Sequence, residues 1–257
     1  MSRDGQHFLK SERVAEIEAV YGEGKNVLEI GAGKGMLTKA LCRVANKVVA
    51  VEKDFRLYCM LKYGLFFSNL KLLHGDFFKM SREELELDKV DIIISNIPYS
   101  LSTKTIEFII KNKKRALLCI QKEFAERLMA REGEREYSMI SVFSNLFLSI
   151  TKIMDIGKSM FYPEPKVDST IVLIKPKDAK YDEEVLRIVR LIMEHKKKRL
   201  KNAILDSLES LGKEKEELRK VCEKLEMKEE RVFKLSPESL VDVGKVLAGL
   251  QQAPYRE

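Results

Sequence analysis

The chain has 257 residues, 45% of them hydrophobic and 34% charged, with a formal net charge of +7. That content fills one large or two modest domains and excludes a disordered or low-complexity chain. No apolar run reaches the length of a membrane span, and the opening MSRDGQHFLK lacks the apolar core of a secretory signal, so a cytoplasmic location with no membrane partner is expected.

In chain order, the leader Gly5-Gln6-His7-Phe8-Leu9 precedes a helical pattern over 11–21. Residues 26–30 (NVLEI) read as a first strand, Gly31-Ala32-Gly33-Lys34-Gly35 as a turn, and 36–43 as a helix. A second strand over 47–51 ends at Glu52, a helix follows over 55–66, and a third strand over 70–73 is closed by Gly75-Asp76. The apolar run 90–95 (VDIIIS) is a fourth strand leading into Asn96-Ile97-Pro98-Tyr99. Helix, strand and helix then follow over 103–111, 115–120 and 122–131. Strands alternating with crossover helices predict a mostly parallel sheet with helices on both faces.

Beyond about Met139 the pattern changes. Strands over 149–154 and 169–174 flank Phe161-Tyr162-Pro163-Glu164-Pro165, whose prolines forbid helix, and these strands predict an antiparallel pair at one sheet edge. From Asp182 only helical periodicity remains, interrupted near Gly212 and Ser236-Pro237, and the tail from Gln251 to Glu257 is expected to fray. Lys175-Pro176-Lys177-Asp178 is the natural linker. The expectation is therefore an α/β domain with a Rossmann-like sheet over residues 1–177, followed by a small all-α domain over 178–257. Cys42, Cys59, Cys119 and Cys222 stand singly in or near apolar segments, which predicts free thiols and no metal centre.

In an open parallel sheet, ligands sit beyond the carboxyl ends of the strands. Gly31, Glu52, Asp76 and Asn96 follow the first four strands in turn. Glycines at 31, 33 and 35 let backbone approach a ligand, but in a spacing that matches neither a dinucleotide fingerprint nor a phosphate loop. Glu52 is placed to accept from ribose hydroxyls and Asp76 from an adenine amino group. A ribose clamp and an adenine clamp without a phosphate cradle point to S-adenosylmethionine.

Taken alone, Asn96-Ile97-Pro98-Tyr99 is a common way to leave a strand. At the fourth strand end it becomes a clamp for an exocyclic amine. The Asn96 side-chain oxygen and a carbonyl near Pro98 accept the amine hydrogens, and Tyr99 stacks on the base, a contact worth about 1–3 kcal/mol. Phe161 is a candidate opposing ring, with core packing as its alternative. The run Lys196, Lys197, Lys198, Arg199 and Lys201, on a helix anchored by Asn202-Ala203-Ile204-Leu205, is a candidate phosphate-binding patch of a basic protein.

The leader, EIGAGKG at 29–35, Glu52, Gly75-Asp76, NIPY at 96–99, QKEFAERL at 121–128 and FYPEPKVDS at 161–169 together resemble the small-subunit ribosomal RNA adenine dimethyltransferases, the KsgA family, in its archaeal form. The resemblance covers nearly the whole chain and implies a methyltransferase fold. It also implies transfer of four methyl groups to two adjacent adenines near the 3′ end of small-subunit RNA, within a pre-ribosomal particle, by a monomer. By the same resemblance His7, Leu9, Gly31, Gly33, Glu52, Asp76 and Asn96 contact the cofactor or its surroundings. Asn96, Pro98, Tyr99 and Phe161 hold the target adenine, and the helical domain grips RNA. Ala32 departs from the proline common in the family, and Ile156-Gly157-Lys158-Ser159 lacks a proline pair common there. The competing readings are an antibiotic-resistance type of large-subunit RNA methyltransferase and an RNA-binding assembly factor whose catalysis is dispensable.

Overall fold

The computed structural model describes residues 7–208 and 215–250. Gly5-Gln6 of the leader, the interruption near Gly212 and the tail from Gln251 to Glu257 lie outside the described residues. A two-residue strand β1 (Phe8–Leu9) and helix α1 (Glu12–Val20) come first. The alternating series follows as β2 (Asn26–Ile30), α2 (Met36–Val44), β3 (Lys47–Glu52), α3 (Phe55–Gly64), β4 (Leu70–His74), β5 (Ile92–Asn96), α4 (Ser102–Asn112), β6 (Arg115–Gln121) and α5 (Lys122–Met129). After it come α6 (Met139–Phe147), β7 (Leu148–Ile156), β8 (Phe161–Tyr162) and β9 (Ser169–Pro176). The remaining helices are α7 (Glu183–Glu194), α8 (Leu200–Leu208), α9 (Lys215–Lys224) and α10 (Pro237–Ala248).

The strands that read as continuous apolar runs are the ones a doubly covered parallel sheet requires. Val48 to Val51 and Ile92 to Ile94 are all buried. The seven-stranded sheet has the order β4-β3-β2-β5-β6-β9-β7. β2 pairs in parallel with β3 and with β5, β3 with β4, and β5 with β6, while β9 pairs antiparallel with β6. The chain therefore winds outward from β2 to β4, then returns to β5 on the other side of β2. That reversal opens a crevice beyond the ends of β2 and β5, where such sheets bind ligands. The Asp54 carboxylate starts α3 by accepting from the N–H groups of Arg56 and Leu57.

The chain divides into two compact units: the first comprises Met1–Ala125 and Ser149–Pro176, the second Glu126–Leu148 and Lys177–Glu257. The break at Pro176 falls beside the boundary read from the sequence, but 126–148 lies in the second unit rather than in a continuous 1–177. Its apolar side chains explain why. Tyr137, Val142 and Leu146 are buried in one core with Ile188, Ile192 and Leu240, and the Tyr137 hydroxyl donates to the Leu235 carbonyl at 3.0 Å. The thiols of Cys42, Cys59, Cys119 and Cys222 are free. Among the described residues no helix is long and apolar enough to cross a membrane.

Candidate functional site

The crevice begins with the loop between β2 and α2. Gly33 has φ +57°, and a Cβ there would stand 3.1 Å from the Phe8 ring. Gly35 has φ +82°, and its Cβ would meet Leu61 at 2.5 Å. A side chain at either position would be strained and obstructed. The loop is held from β3. Gly31 and Ala32 donate their N–H groups to the Val51 carbonyl at 2.8 and 3.1 Å. Glu52 accepts from the Gly33 N–H at 2.7 Å with one oxygen and from the Asp54 N–H at 2.8 Å with the other. Its carboxylate, 3% exposed, is thus fixed by backbone donors while each oxygen keeps lone-pair capacity for a ligand.

At the end of β4, Asp76 caps a short 3-10 turn, accepting from the Phe78 N–H at 3.2 Å, and pairs with Lys53 at 3.3 Å. Burial opposes ionisation of Asp76, but the Lys53 and Phe78 hydrogen bonds and the Lys53 and Lys79 charges outweigh it and hold the carboxyl below its usual range.

At the end of β5, the Ser95 hydroxyl donates to the Ile30 carbonyl at 2.6 Å, tying β5 to β2 beneath the crevice. Asn96 Nδ2 donates to Glu18 Oε2 at 3.1 Å. Asn96 Oδ1 is buried with no hydrogen-bond partner among the described residues. The Tyr99 hydroxyl lies 3.0 Å from Ser169 Oγ, and burial raises its pKa against that bond. The His7 ring sits 5.6 Å from the Tyr99 ring, and His7 Nδ1 is 2.6 Å from the Pro163 carbonyl. Strands β1 and β8 pair antiparallel, Leu9 opposite Phe161 and Phe8 opposite Tyr162, so the leader is stitched to the proline-rich loop.

Two cavities meet here. One of about 480 Å³ is lined by Gly31, Gly33, Glu52, Asp76, Asn96 and His7, among others, a volume typical of small-molecule sites. The other, about 20 Å³, lies among Asn96, Pro98, Tyr99, Phe161, His7 and Ser169. Six of the seven residues expected around a cofactor therefore line one cavity. Leu9 does not; it is buried in the apolar core. The expected base-holding residues are also together, but Phe161 is 4% exposed and the space beside it has room for about one water. Phe161 is thus a core side chain that also lines the small cavity. Glu18 was not singled out in the sequence, where EIEA on an amphipathic helix resembles a solvated face.

In the second unit, the basic run is not displayed on a helix as expected. His195 to Arg199 fall between α7 and α8, pinned by backbone hydrogen bonds from Leu200, Val232 and Phe233 to the carbonyls of Glu230, Lys198 and Lys196. Only Lys201 lies in α8. Lys196 donates to the Tyr137 carbonyl, Lys198 pairs with Asp206, and Arg199 and Lys201 share Glu229. Lys197 is exposed.

The description "Ribosomal RNA adenine dimethylase" belongs to the family model that matches residues 1–248. The probable ribosomal RNA small subunit methyltransferase A of Thermococcus sibiricus is 34% identical over 95% of this chain and 90% of its own. That of Pyrococcus furiosus is 33% identical over 95% and 90%. A dimethyladenosine transferase from Plasmodium falciparum superposes with a TM-score of 0.76 at 32% identity, covering 94% of this chain and 96% of the other. The 23S rRNA methyltransferase ErmE shares the fold, with a TM-score of 0.63 at 19% identity and 94% and 99% coverage. An S-adenosylmethionine-dependent methyltransferase by these relationships, the chain belongs to the ribosomal RNA adenine dimethylase family.

Proposed function

We propose that the enzyme dimethylates the exocyclic amines of two adjacent adenines near the 3′ end of small-subunit ribosomal RNA, during subunit biogenesis. The observation that carries this reading is Asn96 Oδ1, a buried acceptor without a partner among the described residues, on a side chain that lines both cavities, as His7 and Pro98 also do. An acceptor left open by the protein in a polar site is available to a donor brought by a ligand. An adenine amine is such a donor.

S-adenosylmethionine fits the larger cavity by the chemistry of its walls. Backbone exposed at Gly31 and Gly33 admits close approach, Glu52 offers acceptors to a ribose diol, and ionised Asp76 offers one to an adenine amino group. The cofactor supplies an electrophilic methyl group on a sulfonium. The protein's own contribution is at the acceptor. An adenine amine is a weak nucleophile because its lone pair is delocalised into the ring. Asn96 Oδ1 and the Pro98 carbonyl accept its two hydrogens, favour a tetrahedral nitrogen and localise the lone pair. The Pro98 carbonyl already accepts from the Leu101 N–H at 2.8 Å, so its second lone pair serves the amine. Tyr99 stacks on the base, and Phe161 supports the opposite side once the small cavity opens to admit it. Alignment of nitrogen and methyl carbon then supplies much of the acceleration.

The archaeal relatives described as small-subunit enzymes, matched along most of their length, favour that RNA over large-subunit RNA. Lys196, Lys197, Lys198, Arg199 and Lys201 are proposed to meet phosphates, with Asp206 and Glu229 exchanged for RNA on binding. The test is incubation with labelled S-adenosylmethionine and, separately, small-subunit particles, large-subunit RNA and duplex DNA. Label is expected on the small-subunit particles. Label confined to large-subunit RNA or DNA would overturn the assignment.

A further inference from the structure

Glu18 sits on α1, wholly buried, and lines neither cavity. Its hydrogen bond to the site is through Asn96, whose Nδ2 donates to Glu18 Oε2 at 3.1 Å. Two further buried groups interact with it electrostatically, Glu29 of β2 and Cys119 of β6, the latter also lining the small cavity. Among the described residues no Lys, Arg or His side chain pairs with it. A buried carboxyl with no cation beside it is an expensive way to hold a helix in place, and its second oxygen, Oε1, has no hydrogen-bond partner among the described residues.

The two ends of an asparagine amide have nearly the same shape, so packing does little to decide which faces a ligand. Hydrogen bonding decides. A carboxylate carries only acceptors; beside it the amide must present Nδ2, which turns Oδ1 to the opposite side. A neutral carboxyl also carries an O–H, which can donate to Oδ1 and draw the acceptor away from the base.

We propose that Glu18 is a positioning residue that sets the orientation of the Asn96 amide, and that its ionised form locks Oδ1 toward the amine to be methylated. The proposal rests on the adenine-amine reading given above. Burial first, then the Glu29 charge, raises the Glu18 pKa to about 8, against the hydrogen bond from Asn96. Glu29 is likewise raised to about 8, by burial and then the Glu52 charge. The two carboxyls therefore titrate over the same pH range. The locked orientation grows as pH rises through that range. Cys119, pushed well up by burial, stays neutral throughout it.

The experiment pairs kinetics with nitrogen-15 NMR of the Asn96 side-chain amide, assigned by its loss in Asn96→Ala. In the wild type, kcat should rise with pH around 8 and the Asn96 amide signal should shift over the same range. Glu18→Gln, whose amide can satisfy either orientation, should flatten both profiles and hold kcat below the wild-type alkaline plateau. Glu18→Leu, which removes the acceptor, should lower kcat about tenfold, the loss of one hydrogen bond, without changing the KM for S-adenosylmethionine. Glu18→Gln should restore part of that loss. Wild-type rates in both variants, or an amide signal indifferent to pH and to Glu18→Gln, would overturn the proposal. An amide signal that titrates only with Glu18 present, in an enzyme that methylates no adenine, would support the positioning role and reject the acceptor reading alone.

Discussion

Replacing Asn96 by Ala is expected to lower methyl transfer at least tenfold, about 1.4 kcal/mol in the barrier, while cofactor affinity stays within a few fold. The asymmetry follows from where the side chain works. The cofactor cavity keeps the Gly31 to Gly35 loop, the Glu52 carboxylate fixed by the Gly33 and Asp54 N–H groups, and Asp76. The acceptor side loses Oδ1, a buried oxygen with no other partner among the described residues. Without it, the amine keeps its lone pair in the ring and its alignment with the methyl carbon loosens. Equilibrium binding and single-turnover rates measured together check this. Turnover near the wild-type rate would show that the amine is not held by Asn96; lost cofactor binding with normal saturated turnover would confine its role to the cofactor cavity.

Fold stability is expected to fall as pH rises from about 5 to 9, the reverse of the usual behaviour of a carboxylate-rich protein. Glu18 and Glu29 are raised by burial from an ordinary 4.5 to about 8. Between these values the folded chain holds two protons that the unfolded chain releases, so raising the pH favours unfolding. The stabilisation is fully present below about 4.5 and lost as pH passes through about 8. Glu86 runs the other way. Hydrogen bonds from Lys47 and Lys71 lower its pKa to about 2, so its contribution is complete above 4.5 and lost only in acid. It adds no slope in the window of interest. Thermal melts should give a Tm several degrees lower at pH 9 than at pH 5.5, with the slope removed in Glu18→Gln/Glu29→Gln. A flat Tm in the wild type would mean that both carboxyls are charged in the folded chain at neutral pH.

How much of this was legible in the sequence depended on whether the signal was local. The five strands from Asn26 to Gln121 are short apolar runs bounded by turn residues, and their order on the sheet follows from crossover geometry. Gly31, Glu52, Asp76 and Asn96 could be aligned because each sits at the end of its own strand. The membership of 126–148 could not be read, because α6 (MISVFSNLF) is apolar on most sides and so carries no single stripe that points to its partner. The pairing of Phe8-Leu9 with Phe161-Tyr162 joins residues more than 150 positions apart, and strands of two residues carry no periodicity. The basic run looked like free charge because Glu229, which takes up Arg199 and Lys201, lies about 30 residues away in sequence. Glu18 has the local signature of a surface residue; only α1 packing over the end of β5 makes it a buried partner of Asn96.

The most direct measurement is the nucleoside content of small-subunit RNA after reaction with the enzyme and S-adenosylmethionine, resolved by mass and mapped by position. N6,N6-dimethyladenosine is expected at two neighbouring positions near the 3′ end, and is expected to be absent when Asn96→Ala replaces the wild type. Methyl groups found instead on a cytidine, on a ribose or at the ring nitrogens of adenine would contradict the adenine-amine reading.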